Sequence, residues 1–437
     1  MMLATQPVDS PLLGELTPPG DKSISHRALI FALLAEGRSR VRGLLDSEDV
    51  KATANACQQL GMTMTRDNGE LLLEGVGVRG LSAPESPLDM GNSGTAMRLL
   101  AGVLAAQPFD SELFGDPSLN RRPMTRIVTP LTLMGARIET AAGGTPPLRI
   151  HGNPHLQGID YVSPVASAQV KSCVLLAGLY ANGHTTVSEP LTSRNHTEMM
   201  LPAFGVELHG PCGVTGGSRL SGASIHVPAD ISSAAFFMVA AAMVPGSDIL
   251  LRNVGLNQTR DGIVHVLRAM GADIAIYEQR LQGGEEVADL RVRYCGRLQG
   301  VEIPLELIPS LIDELPIILA LAAGSHGTTR LRGAAELRVK ESDRLAVMAA
   351  GLETLGVTLE EYPDGMDIRG GAIGAGRVDG AGDHRCAMSF AILGQTAAGE
   401  VVVTGAENID TSFPSFTGDL QRVGGKIKTI EGDSMNA

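Results

Sequence analysis

One sequence plan recurs six times along this chain, at a spacing of roughly 65 to 85 residues. Each copy closes in a hydrophobic-Gly-x-x-hydrophobic signature: Leu60-Gly61-Met62-Thr63-Met64, Met134-Gly135-Ala136-Arg137-Ile138, Phe204-Gly205-Val206-Glu207-Leu208, Met270-Gly271-Ala272-Asp273-Ile274, Leu355-Gly356-Val357-Thr358-Leu359 and Val423-Gly424-Gly425-Lys426-Ile427. Such a signature reads as a helix, a glycine C-cap and a strand. Before it come a polar or Gly-rich cluster, an apolar Ala/Leu-rich helix, a Gly turn, a short β-prone run and a second, amphipathic helix. A chain of 437 residues exceeds one ordinary core. Three plus three units therefore predict two similar α/β domains. The pattern restarts near Pro18-Pro19-Gly20 and Val227-Pro228-Ala229, which sets one domain at 20–228 and the other at 1–19 with 229–437. The first 19 residues are expected to pair with the second half, and a cleft between the halves is the expected ligand site.

The six openings are Gly20-Asp21-Lys22-Ser23, Gly91-Asn92-Ser93-Gly94-Thr95, Ser167-Ala168-Gln169, Ala229-Asp230-Ile231-Ser232-Ser233, Ile312-Asp313-Glu314 and Gly382-Asp383-His384-Arg385. Taken singly, each reads as an ordinary N-cap ahead of an apolar helix. Taken together they say more. Three carry Lys, His or Arg in the first helical turn, where the helix dipole disfavours cations, and a bound anion would remove that conflict.

A net charge of −13 argues against a nucleic-acid or membrane-surface role, so an anionic ligand must be held by a local cluster of cations. The five cysteines stand singly, without CxxC pairs or neighbouring His at ligand spacing, which disfavours a disulfide framework or a zinc site. The longest strongly apolar stretch, 234–244, is short of the roughly 18 residues that a membrane span needs. The N-terminus lacks a basic and apolar signal. A cytoplasmic monomer acting on small molecules, without nucleic-acid or membrane partners, is the expectation.

Several clusters carry chemistry. Lys22 with His26, and Ser23 with Arg27, are four apart and so neighbours on one helix face, a set that suits a phosphate or carboxylate as well as it suits a solvated basic turn. The stretch 91–98 is Gly-rich but lacks the Gly-Lys-Ser/Thr ending of a P-loop. Gly94 there allows close approach to the backbone, and Arg98 follows Thr95 by a turn. Pro123 forces Arg122 into an extended conformation that suits a bidentate carboxylate clamp. Ser167 and Gln169 offer hydroxyl and amide groups, and Arg194 lies in Ser193-Arg194-Asn195-His196.

Asp313-Glu314 interrupts the apolar run 305–322. A carboxylate so embedded is costly, so Asp313 reads as a general base or, with Pro316 in the first turn, as a plain cap. Lys340 and Arg344 are four apart and would repel on one helix face unless an anion lay between them. Glu341 is placed to pair with Arg344 or to act as an acid or base.

These residues carry a resemblance. PGDKSISHRA, GNSGTAMR, NRRPM, ASAQVKS, IDELP, RVKESDR and DHR occur in the order and at the spacing of the enolpyruvyl transferases, over essentially the whole chain. The sequence is similar to the shikimate-pathway branch, whose acceptor is shikimate 3-phosphate. The resemblance implies an inside-out α/β barrel of two domains, each of three βαβαββ units with helices inside and sheets outside. It implies that Lys22, Ser23, Arg27, Ser167, Ala168, Gln169, Arg194, Asp313 and Lys340 contact shikimate 3-phosphate. Lys22, Gly94, Arg122, Gln169, Arg344 and Arg385 would hold phosphoenolpyruvate. Asp313, Glu341 and Lys22 would be catalytic, in an addition and elimination that needs no metal or organic cofactor.

Some positions depart from the commoner bacterial pattern: Thr411 where many members have Lys, Leu99 where many have Pro, and Glu336 for a frequent Asn. SAQVKS and SRNHTE resemble a divergent class that includes herbicide-tolerant members, whereas Gly94 is the small residue associated with glyphosate sensitivity. The sister branch, which uses UDP-N-acetylglucosamine, usually has a reactive Cys in a loop corresponding to 114–122. Asp116 is the one residue here that keeps that alternative open. A non-catalytic binding protein of the same fold is the other.

Overall fold

The computed structural model describes residues 1–67 and 69–430. Most repeats begin where the sequence offers a cap. Asp21 accepts a hydrogen bond from Ile24 N at 2.8 Å and starts the helix Lys22–Leu34. Ser93 does the same for Gly94–Ala105, Ser167 for Ala168–Gly178, Asp230 for Ile231–Met243 and Asp383 for His384–Leu393. These helices are buried nearly all round: every residue from 28 to 35 is 0% exposed. Helices without a polar face must be covered on every side, so the sheets form the outer layer.

The closing glycines adopt positive φ, from +80° at Gly356 to +113° at Gly61, a region that a Cβ disfavours. Five lead into strands as expected: Thr63–Asp67, Arg137–Ala141, Asp273–Gln282, Thr358–Tyr362 and Lys426–Ile430. The third does not. After Gly205 no strand forms at 206–208, and the chain turns through His209 N donating to Gly213 O. Pro211 cannot donate to a ladder, and only the short strand Gly213–Thr215 follows it.

Contacts divide the chain into two units, one of Gly20–Val227 with Leu281–Glu285, the other of Met1–Pro19, Pro228–Arg280 and the chain from Glu286 on. Each has its own apolar core and three sheets. In the Gly20–Val227 unit, Ala35–Arg42, Ser111–Phe114 and His184–Ser188 are interior strands of the three sheets. Each sheet combines a parallel and an antiparallel pairing, as a βαβ crossover followed by a hairpin requires. In the other unit the N-terminal segment supplies two strands. Met2–Gln6 runs antiparallel between Val401–Thr404 and Lys426–Ile430, and Leu13–Leu16 pairs in parallel with Asp248–Gly255. Leu13–Leu16 thus takes the place of a first strand, parallel to Asp248–Gly255, and Met2–Gln6 that of a last strand, closing the hairpin with Lys426–Ile430 beside the parallel pair of Gly376–Asp379 and Val401–Thr404. No single helix among the described residues is long and apolar enough to cross a membrane.

Candidate active site

In the Gly20–Val227 unit the expected ligands gather at the N-terminal ends of the inner helices. Lys22 opens the first helix and its Nζ lies 2.5 Å from Oδ2 of the buried Asp49. Arg27, one turn on, is 2% exposed and donates to Thr197 Oγ1 at 2.8 Å, Ser172 Oγ at 2.7 Å and Ser23 O at 3.0 Å. His26 is fully buried, with Nδ1 2.7 Å from Thr53 Oγ1 and Nε2 3.4 Å from Ser93 Oγ. Burial, with the charges of Lys22 and Arg27, holds its pKa well below the ordinary range, so it stays neutral and ties two helix starts together.

Gly94 lies beneath two guanidinium groups. A Cβ built on it would come 3.0 Å from Arg98 Nη1 and 3.2 Å from Arg122 Nη1. Arg122 is extended, as Pro123 requires, with φ −77° and ψ 139°, and donates to Asn92 Oδ1 at 2.7 Å. Arg98 donates to Gln169 Oε1 at 2.6 Å, and Gln169 Nε2 to Thr95 Oγ1 at 2.9 Å. Gly94, Arg98, Arg122 and Gln169 thus form one polar patch across two helix starts. Ser167 caps its helix, as the ordinary reading had it, while its backbone N–H donates to Glu189 at 2.7 Å. Arg194 precedes the short helix His196–Met200 and is half-buried.

In the other unit the cluster centres on Asp313. The apolar run breaks there: Leu305–Leu311 and Leu315–Gly324 meet at an angle of 116°. Asp313 is not the cap, since Glu314 occupies that position and makes no side-chain capping bond. The Asp313 carboxylate instead faces three cations, with Arg344 Nη1 at 3.3 Å, Lys340 Nζ at 3.6 Å and Arg385 Nη2 at 3.8 Å. Arg385 Nη1 also donates to Asp313 O at 3.1 Å.

Lys340 and Arg344 do not share a helix face. A short 3-10 helix, Ala335–Val339, ends before Lys340, and a new helix, Arg344–Thr354, starts on the Asp343 cap. The fold has replaced the expected (i, i+4) repulsion with a bend that turns both cations onto one carboxylate. Arg344 is 1% exposed and meets Asp383 at 2.8 Å and Glu341 at 2.5 Å as well. Burial alone would lower its pKa, but Asp383, Glu341 and Asp313 outweigh that and raise it, so its charge is permanent.

Asp49, the counter-ion role of Asp383 and the orienting role of Arg98 toward Gln169 were not read from the sequence. Asp383 lies in an opening read only as a cap, Asp49 lies in the first turn of the helix Glu48–Gln59, and nothing local says which cation each one meets. Thr411 is buried and bonds Asn408 O at 2.6 Å, and Asn408 in turn holds Gly382 O at 2.7 Å, so this departure has a structural use beside the Asp383 cap. Asp116, the residue that kept the sister branch open, is engaged by Asn92 Nδ2 at 2.7 Å and Leu119 N at 2.7 Å. A cavity of about 300 Å³ in the Asp313 unit lies at the opposite, C-terminal helix ends, beside Met243, Gly324 and Thr396.

The family model for EPSP synthase (3-phosphoshikimate 1-carboxyvinyltransferase) matches residues 8–420. The chain belongs to the EPSP synthase family. It is 56% identical over 417 residues to a 3-phosphoshikimate 1-carboxyvinyltransferase of Xanthomonas campestris pv. campestris strain B100, covering 94% of this chain and 95% of the relative. It is 54% identical over 411 residues to the enzyme of that name from Xylella fastidiosa strain Temecula1, covering 93% and 90%. A solved structure of EPSP synthase from Acinetobacter baumannii superposes with a TM-score of 0.87 at 46% identity, over 98% of this chain and all of that one. Membership of the EPSP synthase family agrees with the six-unit α/β architecture and disfavours the sister-branch reading of Asp116.

Proposed function

We propose that this protein transfers the enolpyruvyl group of phosphoenolpyruvate to the 5-hydroxyl of shikimate 3-phosphate, releasing phosphate, as a step of the shikimate pathway. The cation cage around Asp313 carries the reading. A carboxylate facing three cations at 3.3 to 3.8 Å fills the place that a ligand's anionic oxygens would take, and its contacts are long enough to exchange. In this reading the carboxylate and phosphate of phosphoenolpyruvate draw Arg344 and Arg385 away, and the Asp313 carboxylate is left free to accept the proton of the acceptor hydroxyl.

The chemistry then balances in two steps. The 5-hydroxyl oxygen bonds to C2 of phosphoenolpyruvate, its proton passes to Asp313, and C3 takes a proton from Lys22 or Glu341. The resulting tetrahedral carbon carries both the ether to the acceptor's carbocyclic ring and the phosphate. Loss of phosphate with its bridging oxygen, and return of the C3 proton to the protein, restores the double bond. Lys22, Gly94, Arg122, Gln169, Arg344 and Arg385 serve phosphoenolpyruvate. Lys22, Ser23, Arg27, Ser167, Ala168, Gln169, Arg194, Asp313 and Lys340 serve shikimate 3-phosphate. Fixed cations that meet charge as it develops supply the larger part of such catalysis. A cytoplasmic monomer is the form proposed.

Phosphate release from phosphoenolpyruvate tests this, with shikimate 3-phosphate and UDP-N-acetylglucosamine compared as acceptors. Release with shikimate 3-phosphate alone is expected. Release with the sugar nucleotide alone, or with neither, would overturn the reading.

A further inference from the structure

A second ionic cluster lies outside the reacting groups, in the Gly20–Val227 unit. Lys171, on the helix Ala168–Gly178, places Nζ 3.1 Å from Glu189 Oε2 and 2.8 Å from Glu198 Oε1. The three side chains are 5%, 7% and 8% exposed. Burial acts to lower the pKa of Lys171, but Glu198 and then Glu189 outweigh it, so the ammonium persists among two carboxylates.

Burying three charges is expensive, and a structural helix contact does not need them. Their bonds run to two places. Glu189 Oε1 accepts from Ser167 N at 2.7 Å and from Ser193 Oγ at 2.8 Å, and Oε2 accepts from Ser193 N at 3.4 Å. Lys171 Nζ donates to Ser193 O at 3.5 Å. One carboxylate therefore holds the start of the helix that carries Ser167, Ala168 and Gln169, and the same carboxylate holds the residue before Arg194.

We infer that Lys171, Glu189 and Glu198 are positioning residues that fix Ser167 and Arg194 relative to each other, and so set the affinity for the phosphate of shikimate 3-phosphate. This rests on the reading above that Ser167 and Arg194 serve the acceptor. Glu189→Gln keeps the shape but weakens acceptance from Ser167 N and Ser193. Lys171→Met leaves two buried carboxylates facing each other. Both act first on Ser167 and on the residue before Arg194, and Ser167 and Arg194 serve the acceptor alone.

Steady-state kinetics of Glu189→Gln, Lys171→Met, Lys171→Arg, Ser193→Ala and Arg194→Ala, each substrate varied in turn, test the inference. In Glu189→Gln and Lys171→Met the KM for shikimate 3-phosphate should rise roughly tenfold, with kcat and the KM for phosphoenolpyruvate within about twofold, the pattern of lost uniform binding. Lys171→Arg should recover most of the loss. Ser193→Ala, which removes a bond without a charge, should show a smaller rise in the same KM and keeps the test open if Lys171→Met does not fold. Equal change in both KM values, or a lowered thermal transition with unchanged KM values, would reduce the cluster to a structural role. If Arg194→Ala raises the KM for shikimate 3-phosphate and Glu189→Gln does not, this inference alone fails. If Arg194→Ala leaves it unchanged, the acceptor assignment fails and the inference falls with it.

Discussion

Arg344 donates through Nε to Oδ2 of Asp383 at 2.8 Å, and both side chains are essentially out of solvent, at 1% and 0% exposure. Asp383 also caps the helix His384–Leu393 and accepts from Ser342 Oγ at 3.1 Å. A single carboxylate thus serves as helix cap, as counter-ion and as the support that aims Arg344, the proposed phosphoenolpyruvate ligand. Asp383→Ala takes from the buried Arg344 guanidinium the most buried of its three carboxylates and leaves Glu341 and Asp313. The loss should therefore lie toward the lower end of the about 3 to 5 kcal/mol that breaking a buried pair costs. Urea unfolding should show that loss, and turnover should fall with it.

Gly94→Ala is expected to act on one substrate. Its methyl group would meet Arg98 Nη1 at 3.0 Å and Arg122 Nη1 at 3.2 Å, closer than ordinary contact, so both guanidinium groups must shift by a few tenths of an ångström. A misplaced clamp weakens reactive binding, and a rise of roughly tenfold in the KM for phosphoenolpyruvate is expected, since displacements near 1 Å cost about 100-fold. The KM for shikimate 3-phosphate should change little. Measuring both KM values decides it.

Asp313→Ala should lower kcat by roughly 100- to 10,000-fold, the range for a lost general base. Binding of shikimate 3-phosphate should survive, because the proposed anchors of its phosphate around Ser23, Ser167, Gln169 and Arg194 lie in the Gly20–Val227 unit and are untouched by the change. Calorimetric titration of the variant checks the second half of the statement.

His26 predicts acid sensitivity. Its folded pKa is held well below the ordinary 6.5, so below that pH the unfolded chain binds a proton that the folded chain does not. Stability is full above about pH 6.5 and falls by about 1.4 kcal/mol per pH unit as pH drops toward the folded pKa. A His26→Gln variant should show a shallower fall in unfolding free energy between pH 7 and pH 5 than the parent.

Much of this was legible in the sequence because it depends on near neighbours. Asp21, Ser93, Ser167, Asp230 and Asp383 cap helices a few residues on, and Gly61 or Gly356 ends one by a backbone angle that only its own missing Cβ makes cheap. Helices inside and sheets outside were implied by the family resemblance, and the burial of the inner helices on nearly every side agrees with it. Where a local pattern was misread, a local competitor explains it: Pro211 in the third hairpin, and the Lys340 break that separates it from the helix of Arg344.

The sequence alone determined the repeats, the caps, the sign of the charge at each helix start and, through motif order, the family. Tertiary structure alone decided which charges meet. Lys22 finds Asp49, Arg344 finds Asp383 and Asp313, and Lys171 finds Glu189 and Glu198, across 27, 39, 31, 18 and 27 positions of chain. Capping bonds are set by a few consecutive dihedral angles. Ion pairs at such separations are set by how whole helices pack, which no local pattern encodes.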